Sequence, residues 1–202
     1  MNDDLDGVTS LALDARAGDR GALARFVRAT QHDVWWFAAL LADVGVAGKL
    51  AVETFERAMA VLPRYSGRLS ARTWLLAIAR RVVLEHLRWG GTRSQAAPAT
   101  PRPGGAGEQP PAGADDLVEA NLLLGTLDHD CREAVVLTQT LALPYGEAAV
   151  VVGCSVATIR SRVARARAQL VRAAGHHAAA GAGSQLTPDW SSTTRISAPP
   201  AR

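Results

Sequence analysis

Apolar residues recur at steps of three and four along the first ninety positions, which is the spacing of one face of an α-helix. One stripe runs over residues 23–41 and a second over residues 50–62, where Pro63 ends it. After a turn at residues 64–67, Ser70 is placed to cap a third helix. No segment alternates apolar and polar residues for long enough to indicate a sheet, so we expect an all-α fold.

Residues 115–173 also read as helices, in shorter pieces. Asp130 is placed to cap a helix that continues until Pro144. A short helix over residues 147–152, a tight turn at 153–155 and a long final helix make up a helix-turn-helix. The apolar stripe of that final helix consists of Val156, Ile159, Val163, Ala166 and Leu170.

Two stretches have no apolar periodicity at all. Residues 91–114 are rich in proline, glycine and alanine, which predicts a flexible linker. Residues 174–202 have a similar composition, which predicts a disordered tail. We therefore expect two small helical domains, residues 5–90 and 115–173, joined by a flexible linker, with the helix-turn-helix in the second.

The composition excludes several classes of protein. Hydrophobic residues make up 48% and charged residues 20%, so the chain can bury a core. No apolar stretch approaches the roughly 20 residues of a membrane span, and the N-terminus is acidic, unlike a signal peptide. Two cysteines, Cys131 and Cys154, are too few for a disulfide framework. We expect a cytoplasmic protein with no membrane insertion.

The charges are more informative by segment than in the formal net charge of +3. Residues 155–172 contain five arginines and no acid, and at 100° per residue Ser161, Arg165 and Arg172 lie opposite the apolar stripe. A helix that packs one face and offers arginine and small residues on the other is suited to the DNA major groove, where arginine can bond guanine O6 and N7. An ordinary solvated helix face is the alternative.

A second basic cluster lies in the first domain. Six arginines between residues 64 and 88 are opposed by a single acid, Glu85, and aromatic residues lie between them. Arginine with interleaved aromatic residues is typical of single-stranded nucleic-acid binding. Trp74 lies on the apolar stripe and is expected in the core, so Tyr65 in the loop is the better base-stacking residue.

The sequence has no catalytic constellation. Its five histidines are scattered, with no metal-ligand spacing to the cysteines, and no glycine-rich loop is followed by lysine. We expect a protein that is not an enzyme and that needs no metal or cofactor.

Two motifs, TWLLAIAR at 73–80 and GCSVATIRSRVARAR at 153–167, carry a family resemblance. Both resemble the bacterial sigma factors of the extracytoplasmic-function (ECF) type, over about residues 8–89 and 117–172. The resemblance implies an RNA polymerase sigma factor that binds core RNA polymerase and promoter DNA. The first domain would recognise the −10 element and the second the −35 element. Many members also have an anti-sigma factor as partner.

The resemblance also implies site residues, carried over by position. The residues for the −35 element are Arg160, Ser161 and Arg165, with Thr158 and Arg162 near phosphates. Those for the −10 element are the loop residues Tyr65, Ser66, Gly67 and Arg68, together with Arg72 and Arg81. This chain has Arg81 where the family commonly has asparagine, and Ala164 where a larger residue is common, so its base preferences are expected to differ.

The helix that would bind core polymerase departs further from the family. Leu50, Glu53 and Phe55 of the family pattern are kept, whereas the usual acidic pair is Gly48-Lys49 and the usual glutamine is Val52. An acid that faces a basic polymerase surface contributes favourable electrostatics, so its replacement by lysine predicts weaker core binding.

The linker limits how the domains can be arranged. Its 24 residues reach about 27 Å as a flexible coil and about 80 Å when fully extended. The two domains can therefore span separated promoter elements only when the linker is stretched. In the free protein we expect them to be mobile or packed together.

Two other functions stay open at this point. A stand-alone helix-turn-helix regulator would use the first domain to dimerise and would bind palindromic DNA without polymerase. A sigma-like interaction module would have lost core binding, and the altered helix around Lys49 is what favours it.

Overall fold

The computed structural model describes residues 3–93 and 120–180, and every regular element in that part of the chain is helical. The expected all-α fold is confirmed. The fourth helix continues to residue 93 and the last to residue 180, each a few residues beyond the domain ends predicted at 90 and 173. The rest of the predicted linker and tail lies outside the described residues.

The first domain contains four helices. They are α1 (Asp3–Arg16), α2 (Arg20–Leu41), α3 (Val44–Val61) and α4 (Ala71–Arg93). Aspartates cap two of them: Asp19 accepts backbone N–H bonds at the start of α2, and Asp43 does so for α3. Helix α2 lies in the middle and packs against the other three. The core between them is formed by fully buried side chains, among them Phe26, Phe37, Leu40, Leu50, Leu75 and Leu76.

The second domain begins in the described chain with a helical segment at 120–124. Helix α5 (His129–Val135) follows and continues as a π-helical turn (Val136–Thr140). Helices α6 (Tyr145–Val152) and α7 (Val156–Ala180) form the predicted helix-turn-helix.

One predicted cap is wrong. The N-cap of α5 is Asp128, whose carboxylate accepts the N–H of Cys131 at 2.8 Å. Asp130 lies inside the first turn of the helix, where its carboxylate is free to pair with an arginine instead. The predicted cap of α4 is confirmed, because Ser70 Oγ accepts the N–H of Thr73.

The two domains pack together, which is one of the two arrangements expected for the free chain. Helix α4 lies against α6, and α2 lies against the π-helical turn. At this interface Glu133 of α5 has no exposed surface, and its carboxylate accepts from Arg80 Nε at 2.7 Å and Nη2 at 3.3 Å. A carboxylate without water is stable in its ionised form only when it is paired in this way. The pair therefore ties α4 of the first domain to α5 of the second.

A second group of polar contacts lies at the start of α4. Ser70 Oγ and Thr73 Oγ1 both donate to the carboxylate of Glu147 on α6. Arg72 donates to Asp33 at 2.5 Å and, across the interface, to the carbonyl oxygen of Leu141 at 2.6 Å. The N-terminal turn of α4 is therefore fixed by groups of both domains.

The interface predicts the effect of removing the buried charge. In Glu133→Gln the guanidinium of Arg80 loses its ionic partner, and we expect the free energy of unfolding to fall by about 2 kcal/mol. Urea unfolding followed by tryptophan fluorescence measures this change, and amide hydrogen exchange in α4 and α5 should become faster.

The matched control is Glu85→Gln, which removes an exposed carboxylate that Arg57 contacts at 2.7 Å. Exposed pairs contribute little, so we expect a loss below about 0.5 kcal/mol. Equal effects of the two substitutions would contradict the role given to Glu133.

Candidate nucleic-acid interface

Helix α7 is positioned by a tight turn and by its own apolar face. Gly153 ends α6 in the left-handed region (φ +76°), which glycine adopts without strain. Ser155 then caps α7, since its Oγ accepts the N–H of Thr158 at 3.1 Å. Ile159 and Val163 are buried on the inward face of α7. The turn and this stripe together determine which residues of α7 face outward.

The outward face of α7 carries the residues that the sequence predicted there. Arg160, Ser161 and Arg165 are exposed, and so are Ala164 and Ala168 around them. The small alanines leave room for a DNA groove to approach the helix, while the arginines provide the positive charge and the donors. The face is suited to the major groove.

Arg162 lies elsewhere than predicted. Its side chain is only 16% exposed, and its Nη2 donates to the carboxylate of Asp130 on α5. Residue 162 is next to the buried Val163 in the sequence. Its side chain lies against the second domain, toward α5, rather than pointing into solvent. In this structure Arg162 braces α7 against α5.

The loop between α3 and α4 presents three of its four predicted −10 residues at the surface. Ser66 and Arg68 are exposed, and Gly67 between them is half-buried with φ +75°. That conformation belongs to the left-handed region, so glycine is the residue that forms the loop without strain.

Tyr65 is not the exposed stacking ring that the sequence analysis predicted. Its side chain is 4% exposed, and its ring packs on Trp74 with the ring centres 4.8 Å apart. The phenol donates to the carbonyl oxygen of Leu69 at 2.6 Å, and burial raises its pKa. The expectation is wrong because the loop folds back on α4, which gives Tyr65 an aromatic partner within the domain.

The two −10 residues on α4 differ in accessibility. Arg81 is exposed. Arg72 is half-buried and holds Asp33 and the second domain, as described above, so it is not available to DNA while the domains are packed.

The predicted polymerase-binding residues of α3 are mostly on its inner side. Leu50 is 1% exposed and belongs to the core, which contradicts a direct contact, and Phe55 packs against the core. Glu53 is partly exposed and pairs with Arg57 at 2.6 Å. The residues that face outward are Lys49 and Val52, and Val52 is 51% exposed. Leu50 and Phe55 of the pattern thus pack α3 into the domain, whereas the departures at Lys49 and Val52 face outward.

The cysteines and the acids near them have a structural role here. Cys131 is buried, and burial, together with the neighbouring Asp128, raises the pKa of its thiol. Cys154 is half-buried in the turn before α7.

In residues 3–93 and 120–180, no cluster of three histidines, cysteines or acids that could hold a metal was found. None of the described helices has the length and apolarity for crossing a membrane.

Sequence reasoning missed the acids that pair with three half-buried arginines: Asp33 with Arg72, Glu133 with Arg80 and Asp130 with Arg162. It also missed Glu147, which accepts from Ser70 and Thr73. One signal was present for Glu133, because it lies on the apolar side of α5 next to Ala134 and Val135. An acid in an apolar run is usually paired when it is buried.

A two-domain helical chain whose second domain exposes a basic recognition helix is a DNA-binding protein of the helix-turn-helix class. The family model for region 4 of the sigma-70 proteins matches residues 117–170, which include this helix as far as Leu170. The ECF RNA polymerase sigma factor SigC of Mycobacterium tuberculosis is 51% identical over 169 residues, 83% of this chain and 91% of that protein. The RNA polymerase sigma-H factor of Pseudomonas aeruginosa is 29% identical, over 77% of this chain and 88% of that protein.

A solved structure of CnrH in complex with the cytosolic domain of CnrY has the same fold. Its TM-score is 0.68 at 24% identity, and the match covers 84% of this chain and 98% of that one. The chain belongs to the ECF sigma factors, the subunits that direct RNA polymerase to promoters for the initiation of transcription.

The capping of α5 leads to a prediction about pH. Hydrogen bonds from the backbone N–H and the side chain of Cys131 hold the pKa of Asp128 below its ordinary value of 3.8, with a smaller contribution from Arg165. A lowered folded-state pKa gives stability that is present above 3.8 and is lost as the pH falls through the lower folded value. At pH 7 we expect Asp128→Ala to reduce the free energy of unfolding by about 1 kcal/mol.

Urea unfolding of the wild type and Asp128→Ala at pH 7 and at pH 3 measures this difference, which should shrink at pH 3. Asp128→Asn is the matched control, because it keeps a capping oxygen without an ionisable group. It should stay close to the wild type at pH 7. A difference between wild type and Asp128→Ala that does not change with pH would disagree with this account.

Proposed function

We propose that α7 reads the −35 promoter element through Arg160, Ser161 and Arg165. The observation that carries this proposal is that these three side chains are exposed on the face opposite the buried stripe of Ile159 and Val163. Arginine reads guanine and serine bonds base edges or phosphates, so the three residues supply both readout and positioning. Thr158 lies at the N-terminus of the helix, where phosphates are favoured.

In this proposal Arg162 contacts DNA only when a phosphate displaces its present partner, Asp130. Its guanidinium pairs with Asp130, which is itself exposed, so a DNA phosphate near α7 would compete with that carboxylate. Until then Arg162 holds the helix in place.

We propose that the loop of Ser66, Gly67 and Arg68 captures the −10 element, together with Arg81 further along α4. The exposure of Ser66, Arg68 and Arg81 supports this role. Tyr65 supports the loop from within by stacking on Trp74. Arg72 joins the −10 surface only when the second domain moves away, because its guanidinium otherwise holds Leu141.

The outer face of α3 is the proposed contact with core polymerase. Lys49 and Val52 are exposed there, and Glu53 is the acid of the family pattern that is still at the surface. With lysine in place of an acid, the contact is weaker than that of a member with the full acidic pattern. This face is also what favours the second candidate function, a sigma-like module with reduced core binding.

Two further statements belong to the proposal. The protein acts in the cytoplasm, where polymerase and promoter DNA are, and it acts by binding rather than by catalysis. It takes an anti-sigma factor as a partner; the support is the fold shared with CnrH and with RpoE, whose solved structure contains the anti-sigma factor NepR at a TM-score of 0.59.

The proposed −35 readout is tested with core polymerase and a promoter library whose −35 and −10 positions are both randomised. Sequencing the transcripts of the wild-type reaction should show preferred bases at both elements. In Arg165→Ala the preference at one or two −35 positions should fall about tenfold, since one base contact contributes about 1–3 kcal/mol.

The preference at the −10 element should be unchanged in that variant. Arg28→Ala, which removes an exposed arginine from α2, is the control for loss of charge. No transcript from the wild type with core would overturn the proposed function, and DNA binding without core would favour a stand-alone regulator.

The polymerase contact is tested by Lys49→Asp. This change restores an acid to the outer face of α3, and we expect tighter binding to core by about fivefold, mainly through electrostatic attraction. Fluorescence anisotropy of labelled protein with purified core measures the affinity, at low and at high salt. The gain should shrink at high salt. Unchanged or weaker binding would show that this face of α3 does not contact core as proposed.

A further inference from the structure

Helix α1 contacts the −10 loop at three separate points. Arg16 Nη1 donates to the carbonyl oxygen of Tyr65 at 2.8 Å, at the beginning of the loop. Thr9 Oγ1 accepts the N–H of Ala71 at 3.1 Å, at its end. Between them the side chain of Leu13 lies against Gly67, close enough that a Cβ at residue 67 would be 3.4 Å from two of its carbon atoms. The two polar residues are separated by about two helical turns, so α1 runs along the loop from end to end.

Each contact pairs or packs a backbone group of the loop that has no partner within the loop itself. The carbonyl of Tyr65 is partly buried, and a buried carbonyl without a donor is costly. The N–H of Ala71 is among the first of α4, which have no partner within their own helix. The backbone of Gly67, at φ +75°, has no side chain of its own to pack, and Leu13 fills that side.

The side chain of Tyr65 makes two further contacts, one within the loop and one with α4. The phenol of Tyr65 donates to the carbonyl oxygen of Leu69, and the ring stacks on Trp74. Tyr65 is thus held on its carbonyl by Arg16 and on its side chain by the loop and α4. Ser66 and Arg68, the two sequence neighbours of Gly67, stay exposed.

From these contacts we infer that α1 sets the conformation of the −10 loop, with Arg16 and Thr9 as positioning residues for base capture. The inference rests on the proposed role of the loop and deepens it. Capturing an unpaired base requires donors and backbone held in one geometry before the base arrives, because ordering a free loop costs conformational entropy at the moment of binding. Arg16 and Thr9 do not touch DNA in this account; they act through the backbone of Tyr65 and Ala71.

The experiment uses the full chain with core polymerase and the doubly randomised promoter library. We expect Arg16→Ala to reduce the base preference at the −10 positions about fivefold, the size of one lost hydrogen bond, and to leave the −35 preference unchanged. Arg16→Lys keeps a charged donor and should recover part of the −10 preference. Arg20→Ala removes a nearby exposed arginine from the start of α2 and should change neither preference.

A second variant covers the other end of the loop. Thr9→Val has nearly the same shape but no hydroxyl, and it should also lower the −10 preference, whereas Thr9→Ser should retain it. Circular dichroism and thermal unfolding identify any variant that fails to fold. If Arg16→Ala fails to fold, Thr9→Val and Arg16→Lys decide the question: both should show a −10 preference below that of the wild type, and wild-type values in both would overturn the inference.

The possible outcomes are distinct. A −10 preference that stays at the wild-type level in both Arg16→Ala and Thr9→Val would overturn the inference and leave the proposed function standing. A joint loss of the −10 and −35 preferences would also overturn it, since it indicates a general loss of structure. A wild type with no −10 preference at all would refute the proposed role of the loop, and the inference with it.

Discussion

The arrangement of the two domains depends on one carboxylate that has no access to water. Glu133 lies in an apolar part of α5, and Arg80 reaches it from the other domain with two nitrogen atoms. An ionised carboxylate in such a place is tolerated because of its partner, and moving the partner away would leave a buried, unpaired charge. The stability of α5 therefore depends on the contact between the two domains. That contact is not merely a consequence of the linker that joins them.

The other interface contacts divide the DNA-binding residues into two groups. Helix α7 keeps Arg160 and Arg165 at the surface, because α7 packs on α5 and α6 through its other side. The beginning of α4 is engaged: Ser70 and Thr73 hold Glu147, and Arg72 holds Leu141. In this arrangement the proposed −35 surface is accessible, while part of the proposed −10 surface forms the domain interface.

The first domain illustrates how a motif combines residues of two kinds. Leu50 and Phe55 belong to the family pattern because they build the core of the domain, and this chain keeps them. Lys49 and Val52 are on the outer face, where the domain tolerates any residue that a partner accepts. The departures of this chain from the pattern at Lys49 and Val52 therefore lie at the surface and not in the core. The loop shows the same division: Tyr65 packs inside the domain, whereas Ser66 and Arg68 are exposed at its surface.

The sequence by itself determined what depends on neighbours along the chain. Helical periods, the cap at Ser70, the turn at Gly153 and the basic face of α7 all follow from residues a few positions apart, and the structure agrees with each. Two expectations about local structure were wrong: the cap of α5 is Asp128 and not Asp130, and the ring of Tyr65 is buried because the loop folds back on α4.

Only the tertiary structure decided which arginines stay available to a ligand. Arg72, Arg80 and Arg162 look alike in the sequence to Arg81, Arg160 and Arg165. The first three are taken by carboxylates that lie 39, 53 and 32 residues away along the chain. Helical periodicity shows the side of the helix on which a residue lies, but the acid brought against that side by packing comes from a distant segment. The long-range ion pairs, which no local pattern encodes, thus separate the arginines that hold the fold from those that can bind DNA.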